Sequence, residues 1–488
     1  MSIRGANQGE STSTRLLLAV LICAVVIAVM NSSMVNVAVP VIRRDFGVSE
    51  AQVGWVITAY LLLYAVGIPL YGRASDVFSL RRAFSLGLLV FALGSLLSAL
   101  APSLALLVFG RVVQATGAAS IPALASATVA KVLPPGERGT ALGLIVSSVG
   151  VGAAIGPVVG GVMQQLGGWQ SLFYATLLLT LLLLPGALYV LPETESLSER
   201  SFDVPGGILL GLAAGLFLFG ITQGQVAGFG SVSSWGSFAV SALAAAGFAW
   251  RITSAAHPFV SPSLFRNRGY VAAVIVGFLS MLVNVSCLVM VPLLVSQVNG
   301  LSPAATGLVL APGAVALAIL SPWAGRLSDR IGVRIPIRSG LTVMLLSVLF
   351  LSTFAAGASP VVVAVGMLGV GVGFALTNSP NVNAAAAALR EEETGVGLGI
   401  FNGLFFLGGG TGPAVVGAFL AARREADAGA IAPLYSLHAA PFSDAFLLLT
   451  LALILSLVAS LRIRNSVKER DSNESKSSSH TPADETGG

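Results

Sequence analysis

Fourteen stretches of this 488-residue chain are long and apolar enough to cross a lipid bilayer as helices. A helix needs about 20 apolar residues to span the hydrocarbon core. Only 10% of the residues are charged and 55% are hydrophobic, with a mean hydropathy of +0.89, whereas soluble domains carry about 25% charged residues. One core cannot bury so much apolar surface at this length. The sequence therefore predicts an all-α integral membrane protein.

The predicted spans are separated by charges, prolines and turn residues. They are 16–40, 51–71, 83–101, 104–130, 139–163, 170–191, 205–226, 235–253, 270–296, 303–323, 337–357, 360–383, 395–421 and 444–462. The first apolar run is longer than the apolar region of a typical signal peptide, about 7–15 residues. Because it also continues into further helices, it is interpreted as the first span.

The basic residues set the predicted orientation, because cytoplasmic loops are enriched in Lys and Arg. With both termini cytoplasmic, 21 of the 26 Lys and Arg face the cytoplasm, one lies within a span, and four face outside. The four outside are Arg43, Arg44, Arg423 and Arg424. The sequence therefore predicts a multi-pass protein of the cell membrane with two cytoplasmic termini and a disordered tail at 465–488. The net charge of +5 is scattered over short loops and does not indicate a nucleic-acid partner.

Two motifs recur along the chain at nearly the same offset. GRASDVFSLRR, which starts at Gly72, matches GRLSDRIGVR 253 positions later, and GVGAAIGPVVGG at 150–161 matches a segment 256 positions later. Paired motifs of this kind indicate an internal duplication. Because the offset equals eight predicted spans, we expect two six-helix halves, 1–200 and 257–464, with two inserted helices at 201–256.

These motifs resemble those of the major facilitator superfamily, in its fourteen-helix drug:proton antiporter branch. GRASDVFSLRR resembles the loop 2–3 signature, RVVQATGAA at 111–119 resembles the helix 4 signature, and GVGAAIGP resembles the helix 5 signature of exporters. NSSMVNVAVP at 31–40 resembles the helix 1 signature of the branch. IPALASATVAKVLPPGERGTALGL and HPFVSPSLFRN are most similar to tetracycline and multidrug efflux proteins of the Gram-positive type. The resemblance implies a major facilitator fold of fourteen helices arranged 6+2+6.

The loop 2–3 motif and its copy are candidates for a cytoplasmic gate latch. A carboxylate in this position can accept from helix N-termini and pair with a guanidinium. The alternative is a basic loop that only fixes topology. The candidate latch residues are Gly72, Arg73, Asp76, Arg81 and Arg82 in the first copy, and Gly325, Arg326 and Asp329 in the second.

The glycine-rich segment in the fifth span places Gly152, Gly156 and Gly160 on one helix face. Small residues on one face let helices approach closely in lipid, and Pro157 removes a backbone donor and bends the helix. We therefore expect a pivot or seal between the halves, with Gly412 and Pro413 as its second copy. The alternative is ordinary glycine packing.

Arg111 lies inside the fourth span, where a charge is costly and by default indicates a functional site. We expect Asn31 and Gln114 to lie near it, and Asn36 is a further candidate for the substrate cavity. The alternative is a buried arginine that backbone carbonyls satisfy. In the twelfth span, Asn378 and Asn381 either line a substrate path or hydrogen-bond between helices. Five aromatic residues are candidates for cavity walls or for the core: Trp55, Tyr60, Phe401, Phe405 and Phe406.

The chain departs from the resemblance in its acidic residues. None of its 21 Asp and Glu lies deep in a predicted span. Asn31 stands where many fourteen-helix relatives carry an aspartate, and Ser32, Ala153 and Gly409 align with acids of the tetracycline branch. Proton coupling is therefore implied by the family alone, with a rim acid such as Asp45 or Glu50, or an ionisable substrate, as the candidate proton carrier.

No enzyme site competes with the transport interpretation. The three histidines are far apart in sequence and there is no phosphate-binding loop, so we expect no enzyme, cofactor or metal. We predict a monomeric secondary-active exporter in the bilayer that exchanges small amphiphilic drugs or metabolites for protons. The alternatives are a ligand sensor or scaffold without turnover, and a facilitator of a metabolite, for example an anion.

Overall fold

The computed structural model describes residues 3–193, 203–255, 258–301, 303–425, 429–431, 435 and 437–463. Fourteen helices in this part are long and apolar enough to cross a membrane, which confirms the predicted number. They are α1 Thr14–Phe46, α2 Gln52–Val77, α3 Leu80–Ala99, α4 Leu104–Val132, α5 Pro135–Gly167, α6 Gln170–Val190, α7 Val204–Gly224, α8 Val232–Ser254, α9 Arg268–Gln297, α10 Ala305–Ile331, α11 Arg334–Ala355, α12 Pro360–Ala387, α13 Thr394–Arg424 and α14 Ala440–Ser460. These described residues contain no strand.

Local sequence signals explain where several helices begin. Ser49 and Gln52 form a capping box at the start of α2, and Ser103 caps α4, because a side-chain oxygen satisfies backbone N–H groups that lack intrahelical partners. Pro135 occupies the first turn of α5, where a missing N–H costs nothing. Most helices exceed the predicted spans at one or both ends, since polar residues continue the helix beyond the apolar run. The helix containing α1 begins at Ile3.

Helix packing repeats with an offset of eight helices. In the first six, α1 packs on α5 and α6, α3 packs on α4 and α6, and α2 packs on α4. In the last six, α9 packs on α13 and α14, α11 packs on α12 and α14, and α10 packs on α12. The two groups meet where α5 packs on α10 and where α13 packs on α2. We call these groups the N half and the C half.

The remaining two helices, α7 and α8, pack mainly on each other. In addition, α7 lies against α2 of the N half and α13 of the C half. The inserted pair is therefore attached at one of the two seams between the halves. The predicted boundaries at 200/201, 256/257 and 464/465, and the tail at 465–488, lie outside the described residues, so the domain division stays a prediction.

Candidate functional site

The side chain of Asp76, at the end of α2, crosses from the N half to the start of α13 in the C half. Its two carboxylate oxygens accept from the backbone N–H of Gly395 at 2.9 Å and of Val396 at 2.7 Å. The Lys131 ammonium, from the end of α4, lies 2.8 Å from the same carboxylate and also donates to the Ser75 carbonyl. Asp76 therefore combines an ion pair, two backbone hydrogen bonds and the positive end of a helix dipole.

Asp329, at the end of α10, makes the reciprocal crossing to α5 of the N half. It accepts from the backbone N–H of Gly139 and Thr140, both at 2.9 Å, and from the Thr140 hydroxyl at 3.0 Å. The Asn383 amide lies 3.5 Å away. No ion pair of Asp329 is found among the described residues. The two aspartates thus form paired cross-half contacts, which we call the Asp76 latch and the Asp329 latch.

Glycines let the backbones approach at both latches. A Cβ on Gly72 would stand 2.5 Å from the Gly395 carbonyl oxygen, and one on Gly325 would overlap the Gly139 carbonyl. Ser379 donates to the Gly139 carbonyl at 3.2 Å, which adds a further cross-half bond. At the end of the bundle where α1 begins, the two halves are therefore in direct backbone contact.

The arginines of the two motifs do not form ion pairs with Asp76 or Asp329 among the described residues. Arg81 donates to the Leu191 carbonyl at 2.7 Å and pairs with Glu193 at 3.0 Å, both at the end of α6. Arg82 and Arg326 are exposed, while Arg73 is buried. The cation that faces Asp76 is Lys131, which the sequence analysis missed. A signal was available, because Lys131 is the only lysine before position 468.

Arg111 lies at the centre of a buried polar network in the N half. Its guanidinium donates to Asn31 Oδ1 at 3.0 Å, to the Val56 carbonyl at 3.2 Å, and to the Gln114 side-chain oxygen. The expected neighbours Asn31 and Gln114 are thus both in contact with it. Amides and a carbonyl, with no carboxylate, accept from this charge.

The network extends to both sides of Arg111. Gln114 donates to Ser95 at 2.7 Å, and Asn31 donates to Thr176 at 2.9 Å. It therefore links α1, α2, α3, α4 and α6, which are five of the six helices of the N half. Asn36, by contrast, is exposed and takes no part.

Tyr60 separates Arg111 from the space between the halves. The guanidinium carbon lies 3.9 Å from the centroid of the Tyr60 ring, within cation–π range. The ring stacks on Tyr64 at 5.8 Å, and Tyr64 meets the edge of Phe406 in the C half at 5.3 Å. Arg111 itself is only 1% exposed. The Tyr60 ring thus lies between the Arg111 guanidinium and the interface of the two halves.

A cavity of about 400 Å³ lies between the halves, beyond this aromatic pair. Residues of α1, α2, α5, α7, α9 and α13 line it. Its wall is mainly apolar, with five hydroxyl-bearing residues, Ser32, Thr58, Tyr60, Tyr64 and Thr222. No Asp, Glu, Lys, Arg or His is among the described residues of the wall. The cavity fits an apolar or amphiphilic molecule better than a small ion.

Of the five aromatic candidates, Tyr60 and Phe406 line this cavity. Phe401 and Phe405 are buried in the core, and Trp55 is exposed. Ser32 and Gly409, two positions that align with acids of the tetracycline branch, lie in the cavity wall. The resemblance to the tetracycline branch implies carboxylates at these two positions, where this wall has a serine hydroxyl and a glycine.

The glycine face of α5 packs on α1 of its own half. Cβ atoms on Gly152, Gly156 and Gly160 would stand within 3.0 Å of backbone or side-chain atoms of α1, between Val26 and Met34. The helix is continuous through Pro157. In the C half, Gly412 contacts α9, and α13 is continuous through Pro413. Cross-half contacts of α5 lie instead in its first half, at Gly139 and Gly143 and at Ser147, whose hydroxyl donates to the Ala318 carbonyl of α10 at 2.8 Å. The predicted pivot thus faces into one half and holds the helix that carries Asn31.

The asparagines of α12 lie away from the cavity wall. Asn381 donates to the Ala273 carbonyl of α9 at 2.9 Å, and Asn378 is buried. The Asn381 bond joins two helices, as in the second of the two expected roles, and the role of Asn378 stays a prediction.

Two acidic residues at the other end of the bundle, Asp45 and Asp444, accept hydrogen bonds. Asp45 accepts from the Trp169 indole at 3.0 Å. The predicted proton carrier Glu50 has its side chain outside the described part of the structure. Asp444, at the start of α14, is 1% exposed and accepts from Arg423 Nε at 2.8 Å and from the Ile431 N–H at 2.8 Å. The sequence placed Asp444 at a helix end but missed that it is fully buried.

A sequence model described as Major Facilitator Superfamily matches residues 21–413. The chain is 32% identical over 339 residues to "Multidrug resistance protein Stp" of Mycobacterium tuberculosis, a match that spans 69% of this chain and 63% of that protein. It is 29% identical to the "Tetracenomycin C resistance and export protein" of Streptomyces glaucescens, over 83% of this chain and 76% of that protein. Less than two thirds of the length of Stp is therefore matched.

Among solved structures, the fold is similar to the human organic anion transporter MFSD10 (TETRAN). The TM-score is 0.67 at 16% identity, over 91% of this chain and 99% of the other. At this identity the likeness concerns the fold.

Proposed function

We propose a function from the premise that this chain belongs to the Major Facilitator Superfamily, as the match over residues 21–413 shows. The protein is a secondary-active exporter of small amphiphilic molecules, drugs or metabolites, that works by alternating access. One observation carries this proposal: the cavity between the halves, whose described wall residues include no charged side chain and whose end nearest the start of α1 is closed by two reciprocal latches. The resistance and export functions named for two relatives support the direction of transport.

Alternating access follows from where the cross-half contacts lie. Both latches join an aspartate of one half to backbone N–H groups of the other, so rocking the halves apart at this end must break both. The Arg111 network, in contrast, lies entirely within the N half. A rigid half that carries the cavity wall and a set of breakable contacts at one end is what a rocking transporter requires.

The cavity wall favours substrates with a substantial apolar surface. A volume of about 400 Å³ fits a molecule of drug size, and hydroxyl groups can orient it without a charge. α7 contributes Leu218, Ile221 and Thr222 to this wall. The inserted helix α7 therefore takes part in substrate selection as well as filling the seam.

Proton exchange, if the protein performs it, needs a titratable group outside the cavity wall. Asp76 and Asp329 are the carboxylates whose protonation would weaken bonds between the halves, because a neutral acid is a poorer acceptor for backbone N–H groups. We infer that the latches, and no group in the cavity, connect protonation to opening. A panel of substrates that carry their own ionisable group would separate this route from coupling through the substrate.

The test is transport by the purified full chain in sealed vesicles. A panel of amphiphilic compounds is added, and compound uptake and internal pH are followed together under an imposed pH gradient. We expect gradient-driven accumulation of some compounds, with proton movement in the opposite direction. Saturable binding without accumulation of any bound compound would contradict export and favour a sensor.

The orientation is tested separately by cysteine labelling in intact cells. In a Cys23→Ala/Cys287→Ala background, a cysteine placed within 427–438 should react with an impermeant reagent, and one within 472–480 should react only after permeabilisation. The 21-to-4 distribution of basic residues supports this expectation. Labelling of the tail in intact cells would contradict the cytoplasmic location of the termini and of the latches.

A further inference from the structure

A second cavity, of about 720 Å³, lies at the end of the C half where α9 and α11 begin and where α12 and α14 end. Four arginines line it, one or two from each of three segments: Arg266 and Arg268 before and at the start of α9, Arg334 at the start of α11, and Arg462 after α14. No Asp or Glu is among the described residues that line it. Two helices begin and two end here, so their dipoles offset one another and the positive potential comes from the guanidinium groups.

Three of the four arginines are available to a ligand. Arg266, Arg268 and Arg462 are exposed, and within the described part of the chain their side chains make no ion pair or hydrogen bond. The wall behind them is fixed, because Asn267 caps α9 through Gly269 and Tyr270 and donates to the Ala388 carbonyl at the end of α12 at 2.7 Å. A fixed wall keeps the guanidinium groups converging on one space.

The equivalent place in the N half shows how an arginine at this point of the fold can be bound by the protein itself. There Arg81, which matches Arg334 in the repeated motif, is bound by the Leu191 carbonyl and the Glu193 carboxylate after α6. The segment after α14, the equivalent helix, brings Ile463 and a further arginine, Arg462. At the end of α4 the N half has Lys131, whereas α12 ends in five consecutive alanines, 384–388. The C half thus places a further arginine beside Arg334 and small side chains where the N half has a lysine.

We propose that this cavity is a binding site for a phosphate-bearing anion, such as the headgroup of an anionic phospholipid or free phosphate. Arginine matches the geometry of phosphate with paired N–H donors, and basic pockets between membrane helices accept anionic headgroups. The cavity lies at the ends of four membrane helices, and Leu461 on its wall is 60% exposed. An apolar rim beside the arginines suits a headgroup whose acyl chains remain in the bilayer.

The test measures binding rather than transport, so its result is independent of the proposed function. The full chain is placed in nanodiscs of phosphatidylcholine, with or without about one fifth phosphatidylglycerol, and the phospholipid retained after mild detergent extraction is counted by native mass spectrometry. We expect the wild type to retain phosphatidylglycerol selectively. Arg268→Glu should weaken this retention on the order of tenfold or more, because one of four charges is reversed.

The matched control is Arg390→Glu, which makes the same charge change at an exposed arginine of the same end outside the cavity. It should retain the lipid like the wild type. Arg268→Gln/Arg462→Gln provides a second, milder variant, and it should also lose retention. Equal retention by all variants, or equal loss in Arg390→Glu, would overturn the site.

Inorganic phosphate separates the two sources of the anion. If millimolar phosphate displaces phosphatidylglycerol from the wild type and raises thermal stability in phosphatidylcholine alone, free phosphate is the ligand. If phosphatidylglycerol binds and phosphate does not compete, the ligand is the lipid headgroup. Binding of neither by the wild type would refute the proposal.

Discussion

The two halves of this chain each contribute an aspartate that binds the other half, but the groups around the two aspartates differ. Asp76 meets the first turn of α13 with a lysine beside it, while Asp329 meets the second turn of α5 with no cation paired to it among the described residues. The side chain of Asp76 is only 2% exposed, and the structure gives Asp329 an intermediate exposure. The duplicated motif thus conserves the carboxylate and its acceptor role, and the surroundings decide how strongly each latch depends on charge.

Unequal latches suggest unequal roles. A buried ion pair is costly to break by removing one partner, because the other is left buried and unpaired. A carboxylate held by backbone N–H groups and neutral side chains, as Asp329 is, loses less, since no charge remains behind. We therefore expect the Asp76 latch to cost more free energy to break than the Asp329 latch, so the Asp329 latch should open first.

Asp76→Asn should have the largest effect. The amide leaves Lys131 without its counter-charge and turns an N–H group toward donors from α13 or from Lys131. Loss of one partner of a buried pair costs about 3–5 kcal/mol, which corresponds to a fall in transport of roughly a hundredfold or more if the closed state is required. The measurement is initial transport rate per inserted protein, and a normal rate with normal insertion would refute the latch.

Arg111→Ala should follow, because it removes the centre of a network that links five helices and orients Tyr60. Asn31 and Gln114 would be left with unsatisfied acceptors, at about 1–3 kcal/mol each, so we expect transport to fall by about one to two orders of magnitude. Arg111→Lys should fall nearly as far, since an ammonium cannot reproduce the planar fork.

The Arg111 prediction needs a readout that global unfolding would not imitate. Asn31→Asp restores a carboxylate opposite the guanidinium and should change the pH profile of transport and the preference for substrate charge. Normal transport by Arg111→Ala would show that the residue only satisfies local packing, and the C half would then become the place to search for the determinants of transport. Asp444→Asn, which breaks the buried pair with Arg423, tests that half directly.

Asp329→Asn should lower transport only about tenfold. It exchanges a charged acceptor for a neutral one in three hydrogen bonds but leaves no cation unpaired, at a cost of about 1–2 kcal/mol. The ratio of the two asparagine variants, measured in the same vesicles, is the direct measure of the asymmetry. Equal losses would show that the lysine contributes nothing to the difference.

The sequence was sufficient for the fold because each of its signals is local or periodic. Fourteen apolar runs and two recurring motifs predicted the number of helices. Contacts across the seam depend on how helices from different halves face each other, and no single-chain pattern carries that information. The sequence therefore identified Asp76 and Asp329 but predicted that adjacent arginines would pair with them. The cation that pairs with Asp76 is Lys131, which lies 55 positions away in the chain.

The same limit applies to the proposed substrate site. Arg111, Asn31 and Gln114 were grouped correctly because a charge within a span demands partners at similar depth. That Tyr60 separates Arg111 from the cavity, and that α7 contributes to its wall, required coordinates. The glycine face of α5 was identified from its spacing, but spacing does not tell which neighbouring helix it contacts.

Of the four single substitutions, Lys131→Met should lower transport least. It is also the sharpest test of the difference between the latches, because it makes the Asp76 latch resemble the Asp329 latch. Asp76 keeps both backbone N–H donors, and methionine preserves much of the volume of the lysine side chain. We expect transport to fall severalfold, about as in other changes that remove one hydrogen bond worth roughly 1 kcal/mol. The double variant Asp76→Asn/Lys131→Met should then be better than Asp76→Asn alone, since no buried ammonium is left unpaired. If the double variant instead shows the sum of the two single losses, the aspartate and the lysine act independently, and the difference between the latches has to come from the helix N-termini alone.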